Sequence, residues 1–306
     1  MSFPLAILIA SILAGCWSRA PEPDPVYRPT ENVLEAVAVL RLHIDDDTYR
    51  FPPARDFTGK NVYRASLRRL EALEQIHSEK LRSGYLTDVL LFAKGRALER
   101  IGEYELAADH FARVAELDSV LLEPAREALD VNERLHRARS IEPGPDALVE
   151  QALAKFDERE RLLDLLGEEV ADTHYAYVVK EEREVADQAR AEYFRARRRL
   201  EAQLDALTLQ QYQRLVQRNR ESKYRNRHLI DLADLYAELA AEYARKTPPV
   251  SLDFDPATFD EYAFGATRLY EAVSQQDGAV EKIEASRKLE AFLAFTLQVQ
   301  DEKIPH

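Results

Sequence analysis

Apolar residues recur every three or four positions through most of the chain, and this periodicity limits the fold more than any other feature. Leu67, Leu70, Leu73 and Ile76 lie three apart with Arg and Glu between them. Leu229, Leu232, Leu235, Tyr236, Leu239 and Tyr243 repeat the pattern. Such spacing puts one stripe of an α-helix on a core and leaves the rest to solvent, whereas a strand would alternate. Glycine is scarce, at 9 residues in 306, and 32% of residues are charged. Both favour helix over sheet, so the sequence predicts an all-α protein.

The formal charge of −13 disfavours nucleic acid as a partner, since an acidic surface repels phosphate backbones. The single cysteine rules out an intramolecular disulfide and a thiolate zinc site. No nucleophile elbow, phosphate-binding glycine loop or metal-spaced histidine pair occurs, and the seven histidines are scattered. Asp253, Asp255, Asp260 and Glu261 offer oxygen ligands, but the calcium-loop glycine is absent and Pro256 interrupts them. They suit the N-terminus of a helix better, and Asp45, Asp46 and Asp47 are read the same way. The expectation is a protein without catalytic residues, metal or dissociable cofactor.

From Phe3 to Gly15 the chain is apolar or small, then reaches Cys16. About 20 apolar residues are needed to span a bilayer, so this run suits a signal sequence rather than an anchor. Leu13, Ala14, Gly15 and Cys16 resemble the lipobox of bacterial lipoproteins. The resemblance implies a signal peptide over 1–15, cleavage before Cys16 and acylation of that cysteine, so that covalent lipid holds the chain to a membrane. Trp17, where an aspartate would favour the inner membrane, implies the outer membrane, facing the periplasm. Pro21, Pro23, Pro25 and Pro29 make 16–29 an extended tether.

The helical body is expected over 30–142 and 146–306, divided at Pro143, Gly144 and Pro145. Within the first part, 88–121 resembles a tetratricopeptide repeat, a pair of antiparallel helices. Leu91, Gly95 and Leu98 stand at the first helix's signature positions, Gly102 and Tyr104 at the turn, and Ala107 and Phe111 on the second helix. Leu91, Lys94, Leu98 and Ser119 depart from the family's usual residues. The resemblance implies a helical solenoid in which Gly95 and Ala107 allow close approach and Phe111 fills the space. The helices at 61–81 and 121–139 would cover its faces, and the helix marked by Leu91, Lys94, Gly95 and Leu98 would line a partner groove.

The second part is expected to form long helical hairpins. A helix capped by Asp146 runs to Leu166 and turns at Gly167. Val185, Ala189, Tyr193, Ala196, Leu200, Leu204 and Leu207 form a heptad seam for packing within one hairpin. Helices at 258–274 and 279–300 close the array. Between Arg190 and Arg227 there are eleven basic residues against four acidic ones, a local charge of +7. Arg195, Arg197, Arg198, Arg199, Arg214 and Arg218 are candidates for a basic face meeting anionic headgroups or an acidic partner. The alternative is a helix face paired with acids such as Glu181, Glu182 and Glu184. Together these features point to a lipid-anchored, non-catalytic scaffold for an envelope protein partner. An accessory subunit of a peptidoglycan or glycan enzyme and a small-ligand or lipid carrier are the other readings.

Overall fold

The structure, a computed structural model, describes residues 29–41, 60–77 and 86–302. Leu13 to Cys16, residues 16–28 of the tether and Asp45 to Asp47 lie outside the described residues. The described chain is all-α, with eleven α-helices. They are α1 (Pro29–Arg41), α2 (Val62–Ile76), α3 (Thr87–Arg100), α4 (Tyr104–Ala115), α5 (Leu122–Arg139), α6 (Val149–Glu169), α7 (Tyr175–Arg198), α8 (Asp205–Arg218), α9 (Arg225–Lys246), α10 (Pro256–Ser274) and α11 (Lys282–Glu302). Two compact units meet inside α5, at Asn132 and Glu133. The Pro143–Pro145 stretch falls in the loop between α5 and α6.

In the first unit α3 is the central element, with α1, α2 and α4 packed around it. Its antiparallel partner α4 comes close because Gly95 has no side chain. A Cβ built there would lie 2.7 Å from Phe111 Cε1, and the Phe111 ring is fully buried. Gly102 turns the chain with a φ of 78°, a left-handed conformation that glycine adopts without steric cost. Leu91, Leu98, Tyr104 and Ala107 are buried. Ala125, in the first turn of α5, joins Leu91 and Val114 in one apolar cluster.

In the second unit each helix from α6 to α11 packs chiefly on its neighbour in the chain. The main core lies between α9, α10 and α11, around Ile230, Phe259, Ala266 and Phe292. Gly265 on α10 faces the Tyr236 ring of α9, where a Cβ would come within 2.8 Å. Asp255 caps α10 by accepting from the backbone N–H groups of Ala257 and Thr258, with Pro256 opening the helix. Pairing those donors accounts for the acidic loop without a metal.

Three local expectations are corrected. Gly167 does not turn the chain but lies inside α6, where it leaves room for the Arg183 guanidinium, which a Cβ would meet at 2.9 Å. The helix cap falls at Leu148 rather than Asp146, because the Gln151 side chain takes up the Leu148 N–H. The heptad seam does not run through: α7 ends at Arg198, a short 3₁₀ turn spans Ala202–Leu204, and Leu200 is 88% exposed. The side of α7 that packs inward lies one residue along, at Ala186, Arg190, Ala191, Phe194 and Arg198. Apolar spacing misplaced it because charged residues occupy part of the buried side.

Gly95→Ala tests the α3–α4 contact. Alanine favours a helix by about 1 kcal/mol, yet the buried Phe111 ring, packed edge-on to Phe92, would have to shift. The variant is expected to be destabilised by about 1–3 kcal/mol, read as a lower midpoint in thermal unfolding. An unchanged or higher midpoint contradicts the packing described.

Candidate functional site

Eight of the eleven cations of the 190–227 segment are held in ion pairs within the second unit. Arg198 is the most enclosed, its side chain 2% exposed. Its Nε donates to Asp205 at 2.7 Å, Nη2 to Glu242 at 2.8 Å and Nη1 to Glu238 at 3.4 Å. One planar fork thereby joins the end of α7, the start of α8 and the middle of α9, the geometry in which arginine exceeds lysine. Arg195 also donates to Glu238 and lies 5.8 Å from the centre of the Tyr212 ring. Burial pushes the Arg195 guanidinium down, but Glu238 and Tyr212 more than offset it and hold the pKa above its usual value.

A second knot ties α6, α7 and α8. Glu160 accepts from both Arg214 and Arg218, and Arg190 donates to Asp157 at 2.6 Å. Asp187 meets Arg218 at 3.3 Å and Arg214 at 3.9 Å. These two carboxylates shift in opposite directions. Burial raises both, but at Glu160 the hydrogen bonds and charges of Arg214 and Arg218 win and its pKa falls. At Asp187 burial wins against the same cations and its pKa rises. The difference follows from enclosure and distance: the Asp187 side chain is 9% exposed against 25% for Glu160, and its contacts are longer.

Of the candidate basic face, therefore, Arg195, Arg197, Arg198, Arg214 and Arg218 are all paired within the unit, Arg197 with Glu201. Arg190, Lys223 and Arg227 are paired as well. Arg199, Arg220 and Arg225 are exposed, with no ion pair among the described residues. Of the acids named as partners, Glu181 takes Lys223 and Glu184 takes His228. The five paired arginines instead meet acids from α6, α7, α8, α9 and the turn after α7.

Nothing in the sequence marks His228 as the partner of Glu184, with which it forms a buried histidine–carboxylate pair. His228 Nε2 lies 2.6 Å from Glu184 Oε1, and His228 is 1% exposed. The Ser222 hydroxyl donates to that same oxygen. Nucleophilic catalysis requires the imidazole between the hydroxyl and the acid. Here the acid lies between the other two, an arrangement that clamps α7 to α9 and the turn before it.

A half-open cleft of about 290 Å³ lies beside the Arg198 network, lined by Glu192, Arg195, Ala196, Arg199, Tyr212 and Asp231. Its walls carry both signs of charge, unlike the predominantly apolar walls of small-molecule sites. No group of metal-binding side chains occurs among the described residues. No described helix is long and apolar enough to cross a membrane.

In the first unit the signature residues are structural. Leu91, Lys94, Gly95 and Leu98 are buried, so these side chains are not available as a groove for a partner. Lys94, although buried, is paired with Glu74 of α2. Glu99 is fully buried and accepts from Arg96 and, at 2.7 Å, from Asn132. Exposed apolar side chains of this unit lie elsewhere, at Leu34, Ile76, Leu106 and Val120. The chain matches no protein-family model and no curated protein.

Glu160→Gln tests the second knot and its sign. A carboxylate whose folded pKa lies below its unfolded value stabilises the fold above the unfolded pKa, and that contribution is lost as pH falls through the folded pKa. The variant is expected to be less stable by about 1–3 kcal/mol at pH 7, between the exposed and buried limits for ion pairs. In denaturant titrations the difference should close as pH falls below the ordinary carboxylate range. A gap that persists in acid would assign the loss to shape rather than charge.

Proposed function

We propose that this chain is a bacterial lipoprotein, acylated at Cys16 and held at the periplasmic face of the outer membrane, that acts as a non-catalytic scaffold for an envelope protein. The observation that carries the reading is the apolar run ending in Leu13, Ala14, Gly15 and Cys16. The internal pairing of the arginines supports it. Eight of the eleven cations in the basic segment are held by carboxylates of their own unit, leaving little free positive charge for headgroups. Attachment then rests on lipid. One acyl chain binds only marginally, whereas two or more give stable anchoring.

The scaffold role rests on helical architecture. A series of helices each packed on its neighbour offers a long side surface rather than one deep pocket, which suits protein segments better than small molecules. In this reading the first unit is a tetratricopeptide-like element whose α3 serves as its core, so a partner is met by the outward sides of α2 and α4. The cleft beside Arg195 and Arg199 favours a small ligand less, because burying its mixed charges requires an equally charged occupant.

Crosslinking in cells followed by purification from membranes tests the scaffold. Wild-type protein is expected to carry one defined envelope protein, and Cys16→Ala to lose it together with the membrane association. Recovery of the same partner by a Cys16→Ala protein that still sediments with membranes contradicts both the anchor and its role in presentation.

A further inference from the structure

The outward side of α11 carries a pattern that the fold does not use. Ala285, Phe292 and Val299, seven residues apart, are buried against α9 and α10. On the opposite side Ile283, Arg287, Glu290, Ala294, Leu297 and Asp301 follow at intervals of four, three, four, three and four, and all are exposed. Ile283 is 65% and Leu297 60% exposed. Arg287 and Asp301 make no ion pair among the described residues. The stripe mixes apolar side chains with exposed charges of both signs, so a helix packed on it must present complementary charge.

Which helix it fits follows from symmetry. Arg287 and Asp301 are equidistant from Ala294, seven residues, or about 10 Å, to either side. When a second copy lies antiparallel with its Ala294 on the same two-fold axis, each Arg287 faces the partner's Asp301. The small Ala294 side chains let the helices approach closely, and Ala291 meets the partner's Leu297. A parallel arrangement would set Arg287, Glu290 and Asp301 each against itself, which like-charge repulsion opposes. Two-fold pairing in which one patch serves both subunits is the commonest form of homo-oligomer.

We propose that α11 is a self-association surface, by which two copies of this chain pair antiparallel about Ala294. A helix of 21 residues is about 32 Å long, so a single helix pair buries an area near the lower limit of specific interfaces, about 1,200 Å² in total. An interface this small makes the dimer weak and reversible.

Sedimentation equilibrium of the full chain in mild detergent tests the pairing through a charge swap. Wild type is expected to show a monomer–dimer equilibrium. Arg287→Asp or Asp301→Arg alone places like charges together at both ends and should weaken it about tenfold, two exposed pairs being lost and two repulsions gained. The double variant restores the pairs in reversed order and should recover the wild-type constant within about threefold. Circular dichroism of each variant checks that the exposed substitutions leave the helices intact. Double and single variants equally weak, or all dimerising as tightly as wild type, overturn the arrangement. A wild-type chain that stays monomeric overturns it too, including when Leu297→Lys releases a different protein from the membrane.

Discussion

The second unit depends on one buried guanidinium. Arg198 reaches Asp205, Glu238 and Glu242 from the end of α7, and without it Asp205 and Glu242 would lose this partner and Glu238 would keep only Arg195. The partners of Arg198 are 27–35% exposed, so its removal falls between the exposed and buried limits for ion pairs, about 1–4 kcal/mol, a sizeable part of a domain's net stability. The position also suits the charge, because a helix C-terminus carries partial negative charge and favours a cation. The Glu160 knot extends this logic to α6, and the Glu184–His228 clamp to the start of α9. The helices of this unit are tied by charge as well as by apolar packing.

That arrangement reconciles a chain of net charge −13 with a local excess of +7. The excess exists because the segment's counter-charges are supplied by helices distant in sequence, and it largely disappears once they fold together. A surface built this way has little long-range attraction for anionic headgroups. The proposed division of labour follows: the acyl chains on Cys16 hold the protein at the membrane, and the helical body is left free to meet other proteins.

Much of the helical architecture was legible because apolar spacing, glycine and proline act locally. Gly102 at the α3–α4 turn, Gly95 against Phe111 and Asp255 as a cap could each be read from a few neighbouring residues. What escaped was long-range. Arg214 and Glu160 are 54 residues apart and Arg198 and Glu242 are 44 apart, and nothing in either segment alone marks them as partners. Buried charge also erased part of the apolar stripe on α7, so the seam was placed one residue early. Gly167 has the composition of a turn, but its role is to admit Arg183, which a local reading could not supply. The signature side chains of α3 mark its buried side, which its neighbours cover, and no local feature marks the residues beside them that a partner would meet. The lipobox is a recognition sequence for processing, and its reading rests on the sequence alone.

The most direct test of the account is a wash of cell membranes carrying the protein. In about 1 M salt the Debye length is about 3 Å, so attachment through exposed basic residues would be screened while acyl chains would hold. Wild-type protein is expected to stay in the membrane pellet in high salt and Cys16→Ala to appear in the soluble fraction even in low salt. Release of wild type by salt, with Cys16→Ala binding equally well in its absence, would show that the body's own charge makes the attachment and would contradict the account.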